Sequence, residues 1–232
     1  MNIYGLEKLS LVDYDGYVSA TVFTGGCNFR CPFCHNSPLV LSHKELGTIP
    51  ESEVLEYLKK RKNILEGVCI SGGEPTLCPD LPNFIEKIKN LGYKVKLDTN
   101  GTNPEMVKSL FASGLVDYFA MDIKNDRESY SSIVGIDNYN TKKVEQTVEF
   151  FLSEKVDYEF RTTLVKEFHT KSNILGIANW IKGANKYFLQ KFKDSESCIK
   201  SHLSPVEDKV ALSFRDILLE YIPSTHLRGY DL

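Results

Sequence analysis

The chain has 232 residues, enough for one well-filled core and few for two. Hydrophobic residues are 42%, charged residues 25% and the formal net charge is −3, so neither a nucleic-acid-binding face nor a polybasic membrane patch is expected. No apolar run reaches the ~18 residues of a membrane-spanning helix, and the start, MNIYGLEKLSLVDYDG, lacks the basic n-region and apolar run of a secretory signal.

Short β-rich runs alternate with longer helical patterns. YVSATVF (17–23) reads as a strand that ends at a cysteine-rich loop. ESEVLEYLKKRKNI (51–64) carries Val54, Leu55, Leu58 and Ile64 at helical spacing, and GVCI (67–70) is a short buried strand. LPNFIEKIKNLG (81–92) is an amphipathic helix closing on a glycine, followed by the strand YKVKLDT (93–99). NPEMVKSLFASG (103–114) is a helix capped at Asn103 with proline in its first turn. VDYFAMDI (116–123) is a strand, and TKKVEQTVEFFLSE (141–154) is a helix with a stripe of Val144, Val148, Phe151 and Leu152. The strand VDYEFRTTLV (156–165), the helix KSNILGIANWIKG (171–183), the strand KYFLQKF (186–192) and the helix VEDKVALSFRDILLE (206–220) complete the series. About six β-then-α units predict an α/β fold, a partial (βα)6 TIM-like barrel of parallel strands in a single domain over 1–232. Its core would run from about 10 to 192, with a C-terminal flanking segment over 193–232. Six units leave such a barrel open on one side, and its chemistry collects at the C-terminal strand ends.

The stretch TGGCNFRCPFCHN (24–36) holds three of the six cysteines, Cys27, Cys31 and Cys34, spaced Cx3Cx2C. The expected compartment is the cytoplasm, where thiols stay reduced and clustered cysteines point to metal or redox chemistry before disulfides. A structural zinc site takes four protein ligands, often as two distant pairs. Here no second pair exists, and His35 follows Cys34 so directly that both would have to bend back onto one ion. Three thiolates also suit a [4Fe–4S] cluster with three irons held and one left open, and the spacing favours that object. Cys69 in its apolar run reads as a small core residue.

Three further stretches fall at strand ends. In ISGGEPTL (70–77) the glycines allow close backbone approach and Glu74 can accept hydrogen bonds, although alone the segment reads as a turn. KLDTNGT (96–102) places Asp98 where a turn-capping aspartate would also sit. MDIKND (121–126) repeats the pattern one strand later, with Asp122 and Lys124 on one face.

The CxxxCxΦC pattern, with Phe33 as the aromatic before the third cysteine, resembles the radical S-adenosylmethionine (SAM) superfamily, over about residues 10 to 192. The resemblance implies a [4Fe–4S] cluster on Cys27, Cys31 and Cys34. It implies that the SAM amino and carboxylate groups complete the open iron, and that reduction cleaves the sulfur–C5′ bond to give a 5′-deoxyadenosyl radical. Phe33 would border the cofactor, and Gly72, Gly73 and Glu74 match the GGE motif that holds the methionyl amine. The DTNG and MDIK segments together resemble the glycyl-radical-enzyme activases. By that resemblance Asp98, Asp122 and Lys124 contact SAM, while oxygens of Asp98, Thr99 and Asp122 bind a monovalent cation, a hard ion suited to oxygen ligands. Arg161 in EFRTTLV matches an arginine close to SAM. The family's histidine on strand six is not evident, and Gln190 lies in that region. His35-Asn36 is typical of activases, and reads equally as a helix-capping pair.

Residues 10–40 and 187–198 look closest to the short activating proteins of anaerobic ribonucleoside-triphosphate reductase, with Asp15 where those have proline. The implied activity is generation of a glycyl radical on that partner enzyme, with electrons from a low-potential donor such as flavodoxin or ferredoxin. A substrate loop would enter through the lateral opening, flanked by the N-terminal segment and residues 193–232. One alternative is a radical SAM enzyme acting on a small molecule, similar to 7-carboxy-7-deazaguanine synthase. The other, from a different class, is a zinc-binding interaction module.

Overall fold

The computed structural model describes residues 1–230; positions 231 and 232, the end of the expected flanking segment, lie outside the described residues. Eight strands follow one another in chain order in a mostly parallel sheet. The chain divides into two compact units, Met1–Asn28 with Pro38–Ala120, and Phe29–Ser37 with Met121 onward.

The first unit contains β1 (Ile3–Ser10), β2 (Ser19–Thr24), β3 (Gly67–Gly72) and β4 (Lys94–Thr99), together with the start of β5 (Tyr118–Asp122). β1 and β2 form an antiparallel pair, whereas β2–β3 and β3–β4 are parallel. β3 is buried along most of its length, as a strand covered on both faces must be, and Cys69 is 1% exposed within it. After α1 (Ser37–Leu41), three longer helices cover this part of the sheet: α2 (Glu51–Lys60), α3 (Leu81–Asn90) and α4 (Pro104–Ala112). α3 turns Leu81, Phe84, Ile85 and Ile88 inward, a stripe at 3.6-residue spacing. α4 starts as its sequence predicts, with the Asn103 side chain accepting from the Met106 backbone N–H and Pro104 in the first turn.

The second unit contains β6 (Tyr158–Leu164), β7 (Tyr187–Lys191) and β8 (Thr225–Arg228), paired in parallel. α5 (Tyr130–Val134), α6 (Lys142–Ser153), α7 (Lys171–Trp180) and α8 (Asp208–Leu219) pack with them. Val144, Val148 and Phe151 of α6 are buried as expected, while Leu152 stays half-buried. Thr170 and Asn173 close a capping box at the start of α7.

Two strands were outside the sequence reading. β1 carries Gly5, Glu7 and Lys8; Tyr4 to Leu6 are half-buried and Glu7 to Leu9 exposed in one run, so no alternation marks it. β8 has four residues, of which only Thr225 is buried. The stretch after 192 supplies the expected helix as α8 and, in addition, β8, which extends the sheet from β7. No helix of the described residues is long and apolar enough to cross a membrane.

Candidate functional site

Each of the expected site residues lies at or beyond the C-terminal end of a strand, or on β6 in the case of Arg161. In the first unit, β2 and β3 end level with each other, Thr24 opposite Gly72. Gly73 donates its backbone N–H to Thr24 O at 2.9 Å, and Glu74 donates its own to Gly26 O at 2.8 Å. This approach is too close for a side chain. A Cβ on Gly72, which has φ +115°, would meet Thr24 O at 2.3 Å, and one on Gly73 would meet Gly26 O at 2.0 Å. The glycine pair therefore lets the end of β3 lie against the strand that leads into Cys27.

Glu74 is 2% exposed. Its Oε1 accepts from the Thr76 N–H at 3.1 Å, from the Thr76 hydroxyl and from the Thr99 hydroxyl at 2.8 Å, and its Oε2 accepts from the Asn100 N–H at 2.6 Å. One carboxylate thus ties the turn after β3 to the end of β4. Burial raises its pKa, and the four donors only partly oppose that shift. Asp98 accepts from the Ser71 hydroxyl at 2.9 Å and lies 3.7 Å from the Lys96 ammonium. Lys96, 3% exposed, donates to Asp13 O at 2.6 Å.

In the second unit, Cys31 is buried and Cys34 half-buried, and the Cys34 N–H donates to Cys31 O at 3.0 Å. Burial pushes the Cys34 thiol pKa up, against a hydrogen bond from the Asn36 backbone. None of the six cysteines is in a disulfide. Several strands of chain hold this loop: Arg30 N–H donates to Val134 O at 2.8 Å, Lys200 N–H to Pro32 O at 2.8 Å, and Ser37 N–H to Ser197 O at 3.4 Å. His35 contacts Lys193 O through Nε2 at 2.6 Å and packs on Phe192, so it meets the chain after β7. Phe33 is 4% exposed, beside Phe168, with the Lys124 ammonium 5.9 Å from its ring centre.

Asp122, Lys124 and Arg161 form one ionic triad. The Lys124 ammonium donates to Asp122 Oδ2 at 2.9 Å, and Arg161 Nε donates to Asp122 Oδ1 at 2.9 Å. Burial alone would raise the Asp122 pKa, but Arg161 and then Lys124 outweigh it and hold the carboxyl at about 2. Burial likewise disfavours the Lys124 ammonium, yet Asp122 and the charge of Cys31 keep it protonated far above the ordinary lysine range.

Sequence reasoning brought together Asp122, Lys124 and Arg161, and placed the glycine pair beside the cysteine loop. It passed over His169 and Asn100. His169 Nδ1 accepts from the Val165 N–H at 3.1 Å, so Nε2 carries the proton and donates to Lys124 O at 3.0 Å, fixing the backbone under the triad. Asn100 directs its amide at Cys27. Neither contact has a local sequence signal, because each joins residues about 45 or more positions apart. Among the described residues, no group of three or more His, Cys, Asp or Glu side chains is gathered to hold a metal ion.

The pattern of the radical SAM superfamily matches residues 21–180. A Methanocaldococcus jannaschii protein whose name proposes it as a glycyl-radical enzyme activating enzyme is 34% identical over 200 residues, covering 84% of this chain and 81% of its own. A 7-carboxy-7-deazaguanine synthase of Thermoplasma acidophilum is 28% identical over 156 residues, 67% of this chain and 70% of its own. The crystal structure of Streptococcus suis SuiB bound to S-adenosylmethionine shares the fold, with TM-score 0.71 at 15% identity over 89% of this chain and 49% of that one. The chain belongs to the radical SAM superfamily, and membership implies a [4Fe–4S] cluster and S-adenosylmethionine.

Proposed function

We propose that this protein is a glycyl-radical-enzyme activase that cleaves SAM reductively and removes a hydrogen atom from a backbone glycine of a partner enzyme, an anaerobic ribonucleotide reductase. The observation that carries the reading is the likeness, along most of both chains, to the M. jannaschii protein whose name proposes that role. Cys27, Cys31 and Cys34 would hold the cluster. The donor set suits it: three thiols outside any disulfide on one loop, with Gly73 packed closely against Gly26 just before the first of them. When bound, the cluster and SAM supply the electron transfer and the radical.

The chain's own residues do the placing. The backbone around Gly72 and Gly73 and the carboxylate of Glu74 would receive the SAM methionyl ammonium. Glu74 already binds four donors, so its larger effect is on the position of the turn and of Asn100. Phe33 and Lys124 would flank the cofactor beside Cys31 and Cys34, and Asp122 would keep Lys124 and Arg161 aligned. A monovalent cation would take oxygens of Asp98, Thr99 and Asp122. A low-potential donor such as flavodoxin or ferredoxin would reduce the cluster.

The test is anaerobic incubation of the reduced protein with SAM and the candidate reductase. The reading predicts an electron paramagnetic resonance doublet of a glycyl radical, formed in step with 5′-deoxyadenosine. If 5′-deoxyadenosine accumulates with no protein radical while a small metabolite is converted, the deazaguanine-synthase-like reading replaces it. That second reading is supported by the T. acidophilum relative and by the buried Lys96 beside Asp98, a polar pair of the kind a small polar substrate uses.

A further inference from the structure

Asn100 follows β4 and is 6% exposed. Its carboxamide oxygen accepts from the Thr102 backbone N–H at 3.0 Å and from the Thr102 hydroxyl at 2.7 Å. A backbone N–H can only donate, so this oxygen is oriented without ambiguity and the amide nitrogen must point the opposite way. That nitrogen lies 3.0 Å from Asn28 Oδ1 and 3.8 Å from Cys27 Sγ. Asn28 in turn donates from Nδ2 to the Thr102 hydroxyl oxygen at 2.9 Å. The three side chains close a ring of directed bonds: Asn28 to Thr102, Thr102 to Asn100, Asn100 back to Asn28. One amide hydrogen of Asn100 is used in the ring, and the other is left for the sulfur. Cys27 Sγ also lies 4.0 Å from Asn28 Oδ1, the contact its thiol proton makes before deprotonation.

We propose that Asn100 is a positioning residue that donates an N–H to the Cys27 sulfur and thereby raises the reduction potential of the cluster, with Thr102 and Asn28 fixing the amide's orientation. The proposal rests on Cys27 being a cluster ligand. A thiolate is a stronger acceptor than a thiol, so the bond tightens when Cys27 ligates iron. The reduced cluster carries one more negative charge than the oxidised one, so a donor at a ligating sulfur favours reduction. In a protein whose cluster must be reduced before SAM is cleaved, that donor sets how strong a reductant is needed. The ring gives the donor its direction: without the Thr102 hydroxyl, Asn100 loses one of two restraints on its oxygen.

The experiment is a redox titration of the anaerobically reconstituted full-length protein, followed by electron paramagnetic resonance, with iron content measured alongside and neither SAM nor partner present. Asn100→Ala should make reduction roughly tenfold less favourable, a fall of about 59 mV for a one-electron couple. Asn100→Asp should fall further, because it adds a negative charge where a donor stood. Thr102→Val keeps the amide but loosens it, and should shift the potential the same way by less. A purely structural role would lower iron content or melting temperature and leave the potential of the loaded fraction where it was. If wild type loads its cluster and the potentials of the variants match it, the proposal is overturned. Should the Asn100 variants fail to fold, Thr102→Val decides alone, and an unmoved potential there overturns the proposal equally. A wild type that assembles no iron–sulfur cluster overturns the cluster reading itself, a distinct result.

Discussion

Glu74, in the first unit, and Asp122, in the second, both sit at strand ends, and their surroundings push them in opposite directions. Glu74 is buried among four uncharged donors, and burial raises its pKa. Asp122 is a third exposed and lies between an arginine and a lysine, which hold its pKa at about 2. The first unit works by hydrogen bonding and close backbone approach: Gly72 and Gly73 against the chain before Cys27, Glu74 between two turns, and Asn100 in a ring with Asn28 and Thr102. The second works by charge: Asp122 is paired with Lys124 and Arg161, and the Lys124 ammonium lies over the face of Phe33. One region is thus held by directed hydrogen bonds and the other by paired charges. Substitutions should separate the two by what they change.

The largest effect is expected at the three cysteines of the Cx3Cx2C loop. Cys27 belongs to the hydrogen-bonded region, whereas Cys31 and Cys34 belong to the charged one. Cys27→Ala, Cys31→Ala and Cys34→Ala should each lose the cluster and SAM cleavage, measured as bound iron and 5′-deoxyadenosine. Cys69→Ala, in the core of β3, should keep both. Full cleavage activity in any of the three ligand variants would break the assignment.

Next in size is the hydrogen-bonded region. Glu74→Ala strands the backbone N–H groups of Thr76 and Asn100 in a buried site, at a cost of about 3 kcal/mol in chemical denaturation. Glu74→Gln keeps the shape and some of the bonds and should cost about 1 kcal/mol near neutral pH. The pH dependence has a definite sign. A carboxyl whose folded pKa lies above its ordinary 4.5 binds more protons folded than unfolded, so the wild type loses stability as pH rises from 4.5 through the raised value. The Gln variant has no such loss, and the gap between the two should shrink as pH rises. A gap that widens would show that Glu74 is not held in a charge-disfavouring site.

The electrostatic region should respond less and with the opposite pH trend. Asp122→Asn leaves Lys124 and Arg161 without their shared anion and should cost about 1–2 kcal/mol at neutral pH, screened because the carboxylate is partly exposed. Since the folded pKa is depressed, that stabilisation is present above 3.8 and disappears as pH falls toward about 2. Unfolding midpoints for the two proteins should therefore converge below pH 4. A difference that stays constant down to pH 3 would remove the ionic account of the triad.

What was legible in the sequence follows physical range. Six strands and their helices were readable because hydrophobic periodicity is local, and the cysteine motif because its three cysteines share one loop. β1 and β8 were not, since one is a charged, half-exposed strand and the other has four residues. Glu74 was recognisable by its motif, but its donors Thr99 and Asn100 come from the next strand, and no pattern within ISGGEPTL announces them. The ring around Cys27 joins residues more than seventy positions apart, where a side-chain amide on a turn reads only as turn chemistry.

The central claim is that the Cx3Cx2C loop holds a [4Fe–4S] cluster that cleaves SAM. Its most direct test is one sample: the protein purified or reconstituted without oxygen, assayed for iron, sulfide and zinc, then reduced and mixed with SAM. A cluster on that loop should give about four irons with matching sulfide per chain, and 5′-deoxyadenosine only when reductant and SAM are both present. Stoichiometric zinc without labile sulfide, or a cluster that leaves SAM intact after reduction, would contradict it.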